Sequence, residues 1–185
     1  MRQAVAALGA TQIIGYGTLY YAFPVLVPGM AAEFGVDPAW LFAAFSAGLL
    51  AGGLVAPRAG RAMDRFGPAR VMVGGSGLAA AGLAALALLP LGPWGAAALI
   101  VALELAAVCV TYDAAFATLA VLRGAGARRA ITNLTLIAGF ASTLFWPLTG
   151  WLAEAVGWRA AYGVFALLHL GVALPLHLAL ARARP

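Results

Sequence analysis

Residues 3–32, 38–57, 71–103, 130–153 and 160–181 contain no charged side chain. A helix needs about 20 consecutive apolar residues to cross the hydrocarbon core of a bilayer, and these runs meet or exceed that length. A soluble domain keeps roughly a quarter of its residues charged in order to stay solvated. Here 9% are charged and 64% are hydrophobic. The bilayer is the solvent this chain is written for.

Apolar stretches bounded by charge, glycine or proline predict six transmembrane helices, roughly 5–30, 40–57, 71–89, 94–122, 130–153 and 160–180, joined by short connections at 33–38, 58–70, 90–93, 123–129 and 154–159. Arg2 and the alanines after it resemble the start of a signal peptide, but the apolar run continues through Ile13 and Tyr20 to Met30, which fits an uncleaved first span. Open strands leave backbone groups unpaired in lipid, and the runs show no period-two alternation, so the expected fold is all-α. The expectation is a single six-helix transmembrane domain over residues 1–185.

All eleven basic residues are arginine. With six spans, Arg2, Arg58, Arg61, Arg65, Arg70, Arg123, Arg128, Arg129, Arg182 and Arg184 fall on one side and Arg159 alone on the other. Positively charged loops stay on the cytoplasmic side, so both termini are expected to be cytoplasmic, in a bacterial inner membrane. Nucleic-acid binding needs a continuous basic stripe with polar or aromatic partners, and no such stripe is present. Cys109 stands alone in an apolar run, which rules out an internal disulfide. His169 and His177 are expected on nearly opposing faces of the sixth span, with no acid or cysteine at ligand spacing, so no metal site and no cofactor are expected. No nucleophile-and-base set, phosphate-cradling loop or nucleotide motif appears, which argues against an enzyme or an ATP-driven pump.

Two charged connections share a pattern. Gly60, Asp64 and Gly67 repeat as Gly150, Glu154 and Gly157, followed by Arg159. Three spans separate the copies and place them on opposite membrane faces, as in an inverted repeat whose units are residues 1–91 and 92–185, approximately. The Asn133-Leu134-Thr135 sequon falls at a cytoplasmic helix start, where it is not glycosylated.

Gly60, Asp64, Arg65, Gly67 and Arg70 resemble the G-x-x-x-D-R-x-G-x-x-R loop between the second and third helices of the major facilitator superfamily, and Gly157-Trp158-Arg159 is similar to the G-W-R before its sixth helix. Pro147 and Gly150 are similar in part to the glycine-proline motif of its antiporters, but Trp146 stands where that motif has glycine. The resemblance covers one six-helix half of a twelve-span fold. It implies secondary transport of a small solute by alternating access, with the charged loop as a gate and the substrate held between two halves. The second half is then another copy in a homodimer or a different six-helix unit; a truncated or non-transporting relative and a drug-efflux type are the alternatives. Partners otherwise are membrane lipid and a small-molecule substrate, here a small organic anion.

Within the spans, Glu104 and Asp113 are acids in an apolar helix, where a charge costs at least about 2.5 to 3.5 kcal/mol. Nine residues correspond to about 180° on a helix, so they are not expected to share a face. Gln12, Tyr16 and Tyr20, at spacing four, form a stripe in the first span. The resemblance turns that stripe toward substrate, and Ser142, Thr143 and Trp146 in the fifth span are further candidates. Gly48, Gly52, Gly74, Gly75, Gly77 and Gly163 are expected at close helix contacts.

Overall fold

The computed structural model describes residues 2–183, with Arg2 placed by its backbone only. Met1, Arg184 and Pro185, and with them part of the arginine count, lie outside the described residues. Every regular element among the described residues is helical. Helix α1 (Arg2–Tyr16) runs through a π-helical turn (Gly17–Tyr21) into α2 (Ala22–Phe34). Helices α3 (Pro38–Phe66), α4 (Pro68–Leu88), α5 (Pro93–Ala107), α6 (Tyr112–Arg123), α7 (Ala127–Ala138) and α8 (Ala141–Leu168) follow. A second π-turn (His169–Ala173) leads to α9 (Leu174–Arg182). Four helical stretches are long and apolar enough to cross a membrane: Gln3–Phe34, Pro38–Phe66, Pro68–Leu88 and the 90-residue Pro93–Arg182, the last interrupted by short turns.

Local chemistry sets the boundaries. Gly35 ends α2 in the left-handed region at φ +64°, Asp37 Oδ1 accepts from the Ala39 N–H at 2.7 Å, and Pro38 takes the first helical position, where no N–H is needed. The charged segments expected as connections at 58–70 and 154–159 are helical instead. Arginine and alanine are good helix formers, so α3 continues through Pro57 to Phe66 and α8 continues through Glu154. Each is interrupted only at a glycine, Gly67 at φ +89° and Gly157 at φ +80°. Those backbone values are strained for any side chain.

The hydropathy pattern gives no sign of two other interruptions. The chain leaves the helix at residues 108–111, where Thr111 N bonds back to Ala107 O at 3.0 Å, and again at Gly139 and Phe140.

Two apolar clusters fill the bundle. At one end Leu8, Met63, Met72, Leu119, Leu134 and Leu180 pack together, flanked in sequence by the arginine-rich segments. At the other, Met30, Leu41, Leu86, Ala96 and Trp158 belong to a larger cluster that includes Phe23, Phe145 and Phe165. On the first helix, α4 and the last span, buried polar side chains fall in the interval between the clusters: Thr11, Gln12 and Thr18, Ser76, and His169 and His177. Glu104, Thr118 and Thr149 are buried among the residues of one cluster or the other.

The two histidines do not oppose each other. Their separation turns an ordinary helix by only about 80°, the π-turn that begins at His169 narrows this further, and both side chains are buried. Thr18 Oγ1 donates to Ile14 O at 2.8 Å, so it accepts from His169 Nε2 at 2.9 Å, while Ser76 Oγ pairs with His177 Nδ1 at 2.7 Å.

Close approach through glycine occurs where α3 meets α5. A Cβ on Gly48 would stand 2.9 Å from Glu104 Cγ, and one on Gly52 3.2 Å from Val108 Cγ2. Gly75 meets Cys109 in the same way, and Gly163 makes only an ordinary contact with Ala87. Gly74 and Gly77 have nothing within 4 Å. The expectation of packing fails for them because they lie on the more open side of α4 while Gly75 and Ser76 point inward.

Candidate functional site

A cavity of about 290 Å³ lies between the first helix, α3 and the α5–α6 break, lined by Tyr16, Tyr20, Glu104, Thr111 and Asp113 together with apolar residues of α3. Four of the candidates named from sequence therefore converge. Glu104 and Asp113 share this cavity although a continuous helix would set them on opposite faces, because residues 108–111 are not helical and α6 restarts at Tyr112.

Their surroundings differ. Glu104 is 6% exposed and has no hydrogen-bond partner among the described residues. The close approach of Gly48 presses its methylene stem against α3, and the residue lines this cavity and a small inner void shared with Phe45 and Tyr162. Asp113 is exposed and stands in the first turn of α6, where the positive end of the helix dipole favours a carboxylate. One carboxyl is thus desolvated and the other supported.

The two lining tyrosines are backed by further aromatic rings. Tyr16 lies 4.7 Å from Tyr112, which stacks on Phe116 at 5.1 Å, and Tyr20 lies 5.8 Å from Phe45. Tyr112 and Thr111 were not singled out in the sequence; they precede Asp113 at the restart of the helix, and Tyr112 meets Tyr16 there.

Two other candidates sit elsewhere. Gln12 is fully buried and its Nε2 donates to Val110 O at 2.7 Å, a carbonyl that the break deprives of its helical partner. Trp146 is 52% exposed and does not line this cavity. Thr143 is exposed and Ser142 half-buried, and neither reaches the cavity.

The loop candidates are well separated from the cavity. Asp64, Arg65 and Arg70 are exposed, Gly60 is partly buried, and Arg65 lies over the Phe66 ring at 5.1 Å. Among the described residues Asp64 makes no ion pair.

At the opposite end, Arg159 ties helix ends together. It pairs with Glu33 Oε1 at 2.7 Å, donates to the terminal carbonyls Leu86 O and Leu89 O of α4 at 3.1 and 2.9 Å, and stacks on Trp158 at 4.4 Å. Trp158 Nε1 donates to Glu33 Oε2 at 2.8 Å. Glu33 was read only as the start of a connection. Its signal in the sequence is that it and Asp37 are the acids nearest the isolated Arg159 under the six-span reading. Glu154 is exposed and Gly150 partly buried.

Among the described residues no group of three or more His, Cys, Asp or Glu is placed to hold a metal ion. The cavity offers carboxyls and phenols, groups whose chemistry allows proton exchange and hydrogen bonding.

Long apolar helices and an interior polar cavity define a multi-pass integral membrane protein. The chain belongs to the Major Facilitator Superfamily, which it matches over residues 8–185. Members of that family carry solutes across membranes and are not enzymes. No curated protein matches the chain.

Proposed function

We propose that this chain is a six-helix half of a proton-coupled secondary transporter that moves a small solute by alternating access. The observation that carries the reading is the convergence of Glu104 and Asp113 on one cavity, one carboxyl desolvated and the other at a helix N-terminus. A desolvated carboxyl holds or releases a proton according to what fills the space beside it. A small organic anion enters such a cavity together with a proton, since a protonated Glu104 and the phenols of Tyr16 and Tyr20 then donate to its carboxylate. A lipophilic cation is the second reading, favoured by the absence of any arginine from the cavity wall.

Six spans in two inverted repeats divide the chain about as the sequence suggests. Two observations support this. The four glycines with positive φ fall into pairs about 90 residues apart, Gly35 with Gly124 and Gly67 with Gly157. The π-turn at Gly17–Tyr21 matches the break at 108–111 at the same spacing. Arginine placement supports cytoplasmic termini in a bacterial inner membrane. Asp64, Arg65 and Arg70 serve as a gate latch whose partners engage in another state of the cycle, and Glu154 belongs to the equivalent loop. A second six-helix unit, another copy or a different chain, closes the open side of the cavity.

Proteoliposomes with an imposed proton gradient test the reading. Benzoate uptake driven by the gradient should fall to background in Glu104→Gln and drop at least about tenfold in Asp113→Asn, if each carboxyl takes part in proton transfer. Uptake unchanged in both variants removes the coupling role. Gradient-driven movement of ethidium with no movement of benzoate moves the substrate to the cation class. A purely monomeric mass in mild detergent, with transport intact, removes the need for a second unit.

A further inference from the structure

The arginine-rich end of the bundle carries a second cavity, about 650 Å³, between the start of α1, the end of α6 and α7. Arg123 closes α6, and Gly124, at φ +49°, begins the 3-10 turn (Gly124–Gly126) that leads into α7. That turn brings Arg123 and Arg129 to one wall. Asn133, one helical turn beyond Arg129 on the same face, adds an amide.

Gly126 also lines the cavity and precedes α7 without any side-chain cap, so the positive end of a 12-residue helix dipole adds to the field. Among the described residues no carboxylate lines this cavity and no acid pairs with Arg129. Val5 and Ile137 contribute an apolar wall.

The geometry points to this cavity as a binding site for an oxyanion carried on a hydrocarbon, a phosphate or carboxylate held by Arg129, Asn133 and Arg123 with its alkyl part along Val5 and Ile137. The guanidinium fork fits both oxyanions. An anionic phospholipid and a free alkyl carboxylate present the same chemistry here. The site stands apart from Glu104 and Asp113, and its test measures binding without any gradient.

Native mass spectrometry of the full chain compares retention of phosphatidylglycerol with phosphatidylcholine, and calorimetric titration in neutral detergent measures hexanoate. At least one of the two anions binds the wild type, and Arg129→Gln weakens that binding about tenfold, as expected for loss of a charge-assisted hydrogen bond. Arg129→Lys, which keeps the charge and loses the fork, falls between. Asn133→Ala is a second variant at an exposed position. Arg128→Gln removes the same charge from the same turn but outside the cavity, and binds like the wild type.

Phosphatidylglycerol selectivity lost in Arg129→Gln, with hexanoate inert, assigns the site to lipid. Hexanoate binding lost in Arg129→Gln, with the lipids retained equally, assigns it to a soluble anion. Equal lipid retention with no hexanoate heat overturns the proposal, as does an Arg128→Gln variant that loses as much as Arg129→Gln.

Discussion

Gln12 shows how a buried polar side chain can belong to the frame and not to the site. Its amide meets Val110 O at the point where the α5–α6 helix is broken. An unpaired buried carbonyl costs about 1–3 kcal/mol. Gln12→Leu should therefore lower the melting temperature in detergent measurably, while benzoate binding to the remaining folded protein stays within about twofold, because Gln12 does not line the cavity. A loss of binding without a loss of stability would return Gln12 to the substrate path. The sequence shows the stripe of Gln12, Tyr16 and Tyr20 by spacing alone. Spacing cannot reveal which of the three faces a carbonyl freed by a break in another helix.

At the scale of elements, the positions of glycine separate two kinds of requirement. Gly157 sits at φ +80° between two helices, whereas Gly53 is inside α3 with open space where a Cβ would go. Gly157→Ala is strained by its backbone and should destabilise by about 1–3 kcal/mol. Gly53→Ala should be neutral or stabilise by up to about 1 kcal/mol. Thermal unfolding of the pair in one detergent checks the opposite signs.

Arg159 poses a different question, since its pair with Glu33 is partly exposed, at 29% and 43% of the side chains. An exposed pair alone contributes about 1 kcal/mol or less, and the two carbonyl bonds to α4 come in addition. A double-mutant cycle with Arg159→Gln and Glu33→Gln should give a small coupling energy beside a larger single effect of Arg159→Gln. A coupling as large as that single effect would mean that the carbonyl bonds contribute nothing. Apolar length and bounding charge made the spans legible. Breaks within spans were not, because a π-turn or a helix restart in an apolar run changes no residue type; only Gly-Trp-Arg, read by resemblance, marked one of these ends.

For the molecule as a whole, topology is the expectation most open to a direct check. In a Cys109→Ala background, Ala69→Cys and Gly92→Cys should react with a membrane-impermeant maleimide from opposite sides, Ala69→Cys only after cells are opened. Reaction of both from outside would overturn the assigned orientation. The all-helical fold was readable from runs of hydrophobicity, and Glu104 and Asp113 stood out as isolated acids, whereas Thr111 did not. The shared cavity of Glu104 and Asp113 was not, because helical periodicity assumes an unbroken helix.

The two ends of the bundle also differ in how they answer to ionic strength. Arg159 is fixed by short bonds to a carboxylate and to two helix-end carbonyls; salt screens the partly exposed ion pair, while the bonds to neutral carbonyls are less sensitive to it. The other end gathers Arg58, Arg61, Arg65, Arg70, Arg123, Arg128, Arg129 and Arg182, with Asp64 as the sole acid there among the described residues. Repulsion among exposed charges there fades once their separation exceeds a Debye length of about 8 Å at physiological salt. Concentrated salt therefore lowers the repulsion among the arginine-rich helix ends more than it changes the opposite end, which makes the bundle's response to electrolyte one-sided.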